Sequence, residues 1–322
     1  MIFNDSQVRY DDTDLLEFLG QQESQNVHWG DAFEEELVAS FRPDQMVSGA
    51  TLPWGDTHDK IRFRSGEITI HAGDNGHFKS AVTGQMAVWF AMQGEPTGIM
   101  SFEMPVRKTL NRMCRQIAGG NNPSESFIRR WSRWNHGNLA FYDKLETTPS
   151  QRVLGALLHM VKLGCKHVMI DSLTKCGLPY GERGPEKTFI DALCATAKVA
   201  QIHIHLICHV RKPDGARLDR IPGKHDVRGA GELTDLVDNV VIHWRDKKKH
   251  DLKRRAEAGI TLTSSEQDYV DSRPDQRFIV EKQRHDEFQG TIGLTMDPSM
   301  QFHRGKKLSP EIPEAKQLEI VQ

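Results

Sequence analysis

Residues 67–93 read EITIHAGDNGHFKSAVTGQMAVWFAMQ, and this stretch decides the fold class. Residues 67–72 are short and β-branched, which predicts a strand. Gly73, Asp74, Asn75, Gly76, His77, Phe78, Lys79 and Ser80 follow as a glycine-bearing loop. Residues 81–93 predict a helix. A strand, this loop and a helix in that order are the context of a Walker A phosphate loop. Its backbone N–H groups turn inward onto phosphate oxygens, and the helix N-terminus adds its dipole. Lys79 would neutralise β- and γ-phosphate charge, and Ser80 would hold Mg²⁺. Phe78 departs from the pattern, because it stands where the last glycine belongs. If that position takes a positive φ, a side chain there costs about 1–2 kcal/mol, and normal hydrolysis depends on how the loop meets that cost.

Outward from this loop the pattern repeats. Strands are predicted at 98–102, 166–170, 203–208 and 239–244, with late strands at 277–281 and 291–296. Helices are predicted at 107–117, 152–163, 188–200 and 231–237. Such alternation implies an α/β fold with a mostly parallel sheet covered by helices on both faces. Right-handed crossovers bring the strand C-termini to one edge, where open α/β sheets bind ligands. Glu103, Asp171 and His209 each fall at such an end. An apolar strand ending in Asp171 is the Walker B arrangement, with the carboxylate on Mg²⁺. Glu103 can polarise an attacking water, and His209 can touch a γ-phosphate. Singly, each has a plainer alternative: a helix cap, a solvated loop glutamate, a surface histidine. Their coincidence at successive strand ends is what favours a site.

The chain has 322 residues, 38% hydrophobic and 27% charged, with a net charge of -2, which excludes a globally basic nucleic-acid coat. Residues 1–50 carry 11 acids and 2 bases, so the remainder is net basic. An acidic N-terminal arm on a basic body suits an anionic ligand on the body. Within the arm, residues 14–20 and 32–41 predict short amphipathic helices. No apolar run approaches the roughly 18–20 residues of a membrane span, and the first residues lack a signal-peptide plan. The five cysteines form no C-x-x-C pair, so reduced thiols in a cytoplasmic protein are expected rather than zinc. Arg211, Lys212, Arg217, Arg220, Lys224 and Arg228 crowd one irregular stretch after the 203–208 strand. They are candidates for a salt-dependent, sequence-tolerant grip on a single-stranded DNA backbone, with a solvated loop as the alternative. Residues 245–276 show no regular pattern despite their run of lysines and arginines, and a surface loop is expected there as much as a second DNA contact. Residues 304–322 read as a tail.

With these residues in place, the sequence resembles the RecA-type motor domain of hexameric DnaB-like replicative helicases, phage and Twinkle-like members included. The resemblance covers about residues 50–305 and rests on six ordered segments: AGDNGHFKS, SFEMP, HVMIDSL, CHVRKP, DVRGAGELTDLVDNVVIHWRDK and EKQRHDEFQGTIGLTMD. It implies a 1–50 arm, a 51–305 motor and a 306–322 tail. It further implies ATP as substrate with Mg²⁺, Glu103 as base, Asp171 as metal carboxylate and His209 as sensor. Arg284 resembles the arginine finger that reaches a neighbour's ATP, with Lys282 beside it. A finger in trans needs a head-to-tail contact, which closes into a ring, a hexamer in this family. The function implied is a 5′-to-3′ translocase on single-stranded DNA, with a primase, polymerase or loader as partner. A recombinase of RecA or RadA type on the same fold, and a hydrolysis-impaired DNA-binding scaffold, are the rival readings.

Overall fold

The structure, a computed structural model, describes residues 4–5, 8–9, 28–42, 48–179, 183–211 and 220–304. The chain divides into two units, Met1–Ser48 and Gly49–Gln322. In the first, a single turn at Gly30–Phe33 runs into a helix at Glu34–Ser40, on the stretch where an amphipathic helix is expected. Trp29, Phe33, Val38 and Phe41 are exposed around it. The expected helix at 14–20 lies outside the described residues.

The second unit is built on a nine-stranded sheet. Its strands are β1 (Ile68–Gly73), β2 (Thr97–Ser101), β3 (Leu139–Tyr142), β4 (His167–Asp171), β5 (His203–His209), β6 (Asn239–Arg245), β7 (Gln276–Lys282), β8 (Gly290–Met296) and β9 (Phe302–His303). The spatial order is β9-β8-β7-β6-β1-β5-β4-β2-β3. From β6 to β3 all neighbours are parallel. From β6 to β9 they are antiparallel. The helices are α1 (Lys79–Met92), α2 (Val106–Ala118), α3 (Glu125–Trp134), α4 (Ser150–Lys162), α5 (Arg183–Ala200), α6 (Ala230–Leu236), α7 (Lys247–Glu257) and α8 (Ser264–Ser272). This is the RecA-like P-loop fold.

Strand residues two apart share a face, and that rule sorts the core into two halves. Ile68, Ile70, Ala72, Val168, Ile170, Ile204, Leu206, Val240 and Ile242 meet α4 and α5 through Val153, Leu157, Ile190 and Leu193. The opposite face meets α1, α2 and α3 through Ala81, Met86, Phe90, Met113 and Trp131. On this second face five positions are histidine: His71, His167, His203, His205 and His243, none more than 2% exposed. Four of them form a hydrogen-bonded row across β6, β1, β5 and β4. His243 Nε2 meets His71 Nδ1 at 3.0 Å, His71 Nε2 meets His205 Nδ1 at 3.1 Å, and His205 Nε2 meets His167 Nδ1 at 3.1 Å. His203 bonds the Thr69 hydroxyl at 2.8 Å and the Arg64 carbonyl at 2.7 Å. Phe90 of α1 stacks on His167 and His205.

The expectation for residues 245–276 is corrected, since α7 and α8 occupy most of that stretch. Neither helix has an apolar stripe, which is why hydropathy misses them; Leu252 is the lone buried apolar side chain in α7, and α8 buries none. Caps and charges stand in for it. Asp246 accepts from Lys249 N, and Thr263 with Glu266 closes a capping box on α8. Lys253 donates to Asp275 at 2.7 Å, and Arg255 to Glu266 at 2.8 Å. The same pattern reading also passes over α3 and β3.

Candidate nucleotide-binding site

The site grows from the point where β1 runs into α1. Gly73 ends β1 beside β6, and a Cβ on it would sit 2.5 Å from the His243 carbonyl oxygen. This glycine is needed for close backbone approach, not for a left-handed φ. Gly73→Ala is expected to lower stability by about 1–3 kcal/mol, measured as a shift in denaturant midpoint. Gly76 takes φ 75° and Phe78 takes φ 59°, ψ 16°. Phe78 therefore adopts the left-handed conformation that the missing glycine would have supplied freely. Its cost of about 1–2 kcal/mol meets an offset, because the ring is sandwiched. The Arg245 guanidinium lies 4.3 Å from its centroid, a contact worth roughly 0.5–2 kcal/mol. The Phe302 ring meets it edge-on at 5.8 Å.

Lys79 opens α1 and is buried. Its ammonium folds back to donate to the Gly73 carbonyl at 2.8 Å and the Asp74 carbonyl at 2.9 Å. Burial lowers its pKa, against the opposing pull of Asp171 and Asp74. Ser80 Oγ donates to Asp171 Oδ2 at 2.5 Å, and Arg112 of α2 donates to the Ser80 carbonyl at 2.7 Å. Burial raises the Asp171 pKa, with the Ser80 hydrogen bond working against it. Glu103, just past β2, is half-exposed; its Oε1 accepts from Ser172 Oγ at 3.3 Å and lies 4.0 Å from His209 Nε2. The His209 pKa is lowered, first by burial and then by the Lys79 charge. The ends of β1, β2, β4 and β5 thus bring Lys79, Ser80, Glu103, Asp171 and His209 to one edge of the sheet. A hydroxyl and a carboxylate in contact form a hard-oxygen pair that suits Mg²⁺, which takes one or two carboxylates and completes its shell with water and phosphate.

Pattern reading gave no warning of Arg112, Arg245, Lys247 or Phe302. Arg245 and Lys247 lie at the end of β6 and the start of α7, yet both reach the loop, with Lys247 Nζ 3.5 Å from Asp74 Oδ2. Only the neighbouring position of β6 and β1 reveals this.

Two expected residues are not brought to this edge within the chain. β7 runs antiparallel to β6 with Lys282 opposite Val240, so Lys282 and Arg284 sit at the opposite edge. Lys282 Nζ donates to the carbonyls of Thr234, Asp235 and Val237, and Arg284 pairs with Asp238 at 3.1 Å. Of the basic stretch, Lys212 and Arg217 lie outside the described residues. The chain returns beside β5: Arg211 N donates to Asp226 O at 2.8 Å, and Arg228 N to His209 O at 2.9 Å. Arg220 is ion-paired with Asp226, Lys224 N donates weakly to Glu281 at 3.4 Å, and Arg211 is exposed.

The fold and this edge together define a RecA-like P-loop domain of the kind found in ATPases. No protein-family model matches the sequence, and neither does any curated protein. Solved structures do match. An isolated ATPase domain is 14% identical, with a TM-score of 0.66 over 89% of this chain and 99% of its own. A DnaB-like replicative helicase, solved to show its interactions with primase, is 15% identical, with a TM-score of 0.65 over 91% of this chain and 72% of its own. A KaiC-like protein from the hyperthermophilic archaeon Pyrococcus horikoshii is 15% identical, with a TM-score of 0.54 over 80% of this chain and 98% of its own. These likenesses establish the fold. Among the described residues no helix is long and apolar enough to cross a membrane.

Proposed function

We propose that this chain is an ATP-dependent, ring-forming translocase on single-stranded DNA, a DnaB-like replicative helicase motor working in the cytoplasm. The observation that carries it is the meeting of Lys79, Ser80, Asp171, Glu103 and His209 at the strand edge where P-loop folds bind nucleotide. The loop N–H groups and Lys79 hold the phosphates, so the ammonium leaves the Gly73 and Asp74 carbonyls when nucleotide enters. Ser80 and Asp171 hold Mg²⁺, which neutralises phosphate charge. Glu103 orients and deprotonates the attacking water, and His209 senses the γ-phosphate beside it. Because Arg228 N bonds the His209 carbonyl, a shift at His209 pulls directly on the basic stretch from Arg211 to Arg228 that grips DNA. Arg284 serves the neighbouring subunit's ATP, and a primase is the partner suggested by the DnaB-like neighbour, with a polymerase or loader as further candidates.

The test is steady-state ATP hydrolysis with and without single-stranded DNA, beside Lys79→Ala. Turnover stimulated by DNA and reduced at least about 100-fold by the substitution is expected, because an electrostatic clamp on the transferring phosphoryl group is lost. Turnover no higher than the Lys79→Ala background, in folded protein that still binds nucleotide, would remove the motor function.

A further inference from the structure

The three residues at the end of β6 and the start of α7 touch four residues of the phosphate loop. Arg245 N donates to His77 Nδ1 at 3.2 Å, which fixes the His77 proton on Nε2. Arg245 Nη1 lies 3.5 Å from the Gly76 carbonyl oxygen, at the limit of a hydrogen bond. Its guanidinium plane covers the Phe78 ring, and Lys247 pairs with Asp74. These contacts start from a fixed base, because β6 is held by β1 on one side, with Ile242 opposite Ala72, and by β7 on the other, with Arg245 opposite Gln276. The loop in turn holds a phenylalanine in a conformation that side chains avoid. A chain free to relax would rotate Phe78 out of that region and swing the loop N–H groups away from a common centre. Something must oppose the rotation, and the ring's contacts with Arg245 and Phe302 are what the structure offers.

We propose that Arg245 is a positioning residue for nucleotide binding: it clamps the Phe78 ring and so holds the phosphate loop in its open, phosphate-accepting form. The role rests on the nucleotide-binding function proposed above. It replaces conformational freedom, normally supplied by glycine, with a brace from the adjacent strand. The consequence is a specific coupling: Arg245 matters because residue 78 is not glycine. With glycine at 78 the left-handed φ is free, and the brace has nothing to hold.

The test is a double-mutant cycle on the full chain, read as the affinity for Mg·ADP by titration calorimetry and as KM and kcat for ATP. Arg245→Ala is expected to weaken Mg·ADP binding about tenfold, in line with the loss of a half-buried cation–π contact. KM should rise by a similar factor with kcat little changed, because the interaction lost serves ground-state and transition-state binding alike. In the Phe78→Gly background, Arg245→Ala should shift affinity less than twofold. Arg245→Met, which keeps the aliphatic stem without the charge, is measured in both backgrounds as well, so that a folding defect of the alanine variant does not decide the outcome. Equal weakening in both backgrounds would overturn the proposal, since Arg245 would then act on the nucleotide itself, and so would unchanged affinity in the Phe78 background. Wild-type protein that binds no Mg·ADP would instead remove the nucleotide-binding function, and this role with it.

Discussion

Between pH 7.5 and pH 5 the chain is expected to lose about 10 kcal/mol of folding stability, which is of the order of the whole stability of a typical domain. The source is the histidine set on the α1 face of the sheet. His71, His167, His203, His205 and His243 are fully buried, and burial drives each pKa down. His71 and His203 fall to about 3, and the other three well below the ordinary value. The groups facing them lower them further: the histidines one another, Arg64 beside His203, and Lys79 and His77 near His243. The opposing contribution at His203 is its hydrogen bond to the Arg64 carbonyl. Below its pKa of about 6.5 an unfolded histidine takes up a proton that the folded one refuses. Stability is therefore flat above about pH 7 and falls as pH drops through 6.5, until the depressed folded pKa values are reached. Each group loses about 2 kcal/mol by pH 5, so five lose about 10. Denaturant midpoints measured from pH 8 to pH 5 check this, above the range where most carboxylates titrate. A midpoint that stays level from pH 7 to pH 5.5 would mean the imidazoles are not buried as a neutral set. His205→Phe, which keeps a ring between Phe63 and Phe90, should reduce the slope by about one proton.

That histidine set shows where sequence reading stops. HIHLIC at 203–208 is legible as a strand because its odd and even positions fall on two faces, and both faces are buried. Nothing local tells that His203 and His205 share a face with His71, His167 and His243. That depends on which strands lie side by side. The same boundary runs through the site. Lys79, Ser80, Glu103, Asp171 and His209 are legible because each belongs to a short local pattern, a polar residue at a strand's end, and the parallel sheet gathers such ends without further information. Arg245 carries no such mark: in sequence it opens a basic run, and only the pairing of β6 with β1 brings it over Phe78. Hydropathy fails for α7 and α8 for another reason, because caps and ion pairs specify them rather than an apolar stripe. Phe78 lies between these cases. Its departure from the glycine pattern was visible at once, whereas the compensation for it was not, since Phe302 is 224 positions away in the chain.

Arg284→Ala is expected to lower ATP turnover about 10³–10⁵-fold, the effect of removing an arginine finger, and to do so at a neighbour's site rather than at its own. The sheet makes this a sharp distinction. Lys282 pairs opposite Val240, and Val240 opposite Ile70, so Arg284 lies beyond the start of β1. The phosphate loop follows the other end of β1, some five residues or ~17 Å along the strand. That separation exceeds the reach of an arginine side chain, and in the single chain Arg284 is already paired with Asp238. A role in hydrolysis therefore requires a second copy, placed head to tail. Glu103→Gln supplies the complement: it removes the base at the chain's own site, at a cost of about 10²–10⁴, and leaves Arg284 intact. Each variant alone should be nearly inactive. Mixed in equal amounts, they create sites that take Glu103 from the Arg284→Ala protomer and Arg284 from the Glu103→Gln protomer. With random assembly about a quarter of the interfaces are of this kind in a head-to-tail ring, so the mixture should recover turnover far above either parent. If both variants assemble and exchange subunits yet the mixture stays as inactive as its components, Arg284 does not act across the interface. Its loss would then have to be explained through Asp238, whose carboxylate also accepts from Ile68 N at the root of β1.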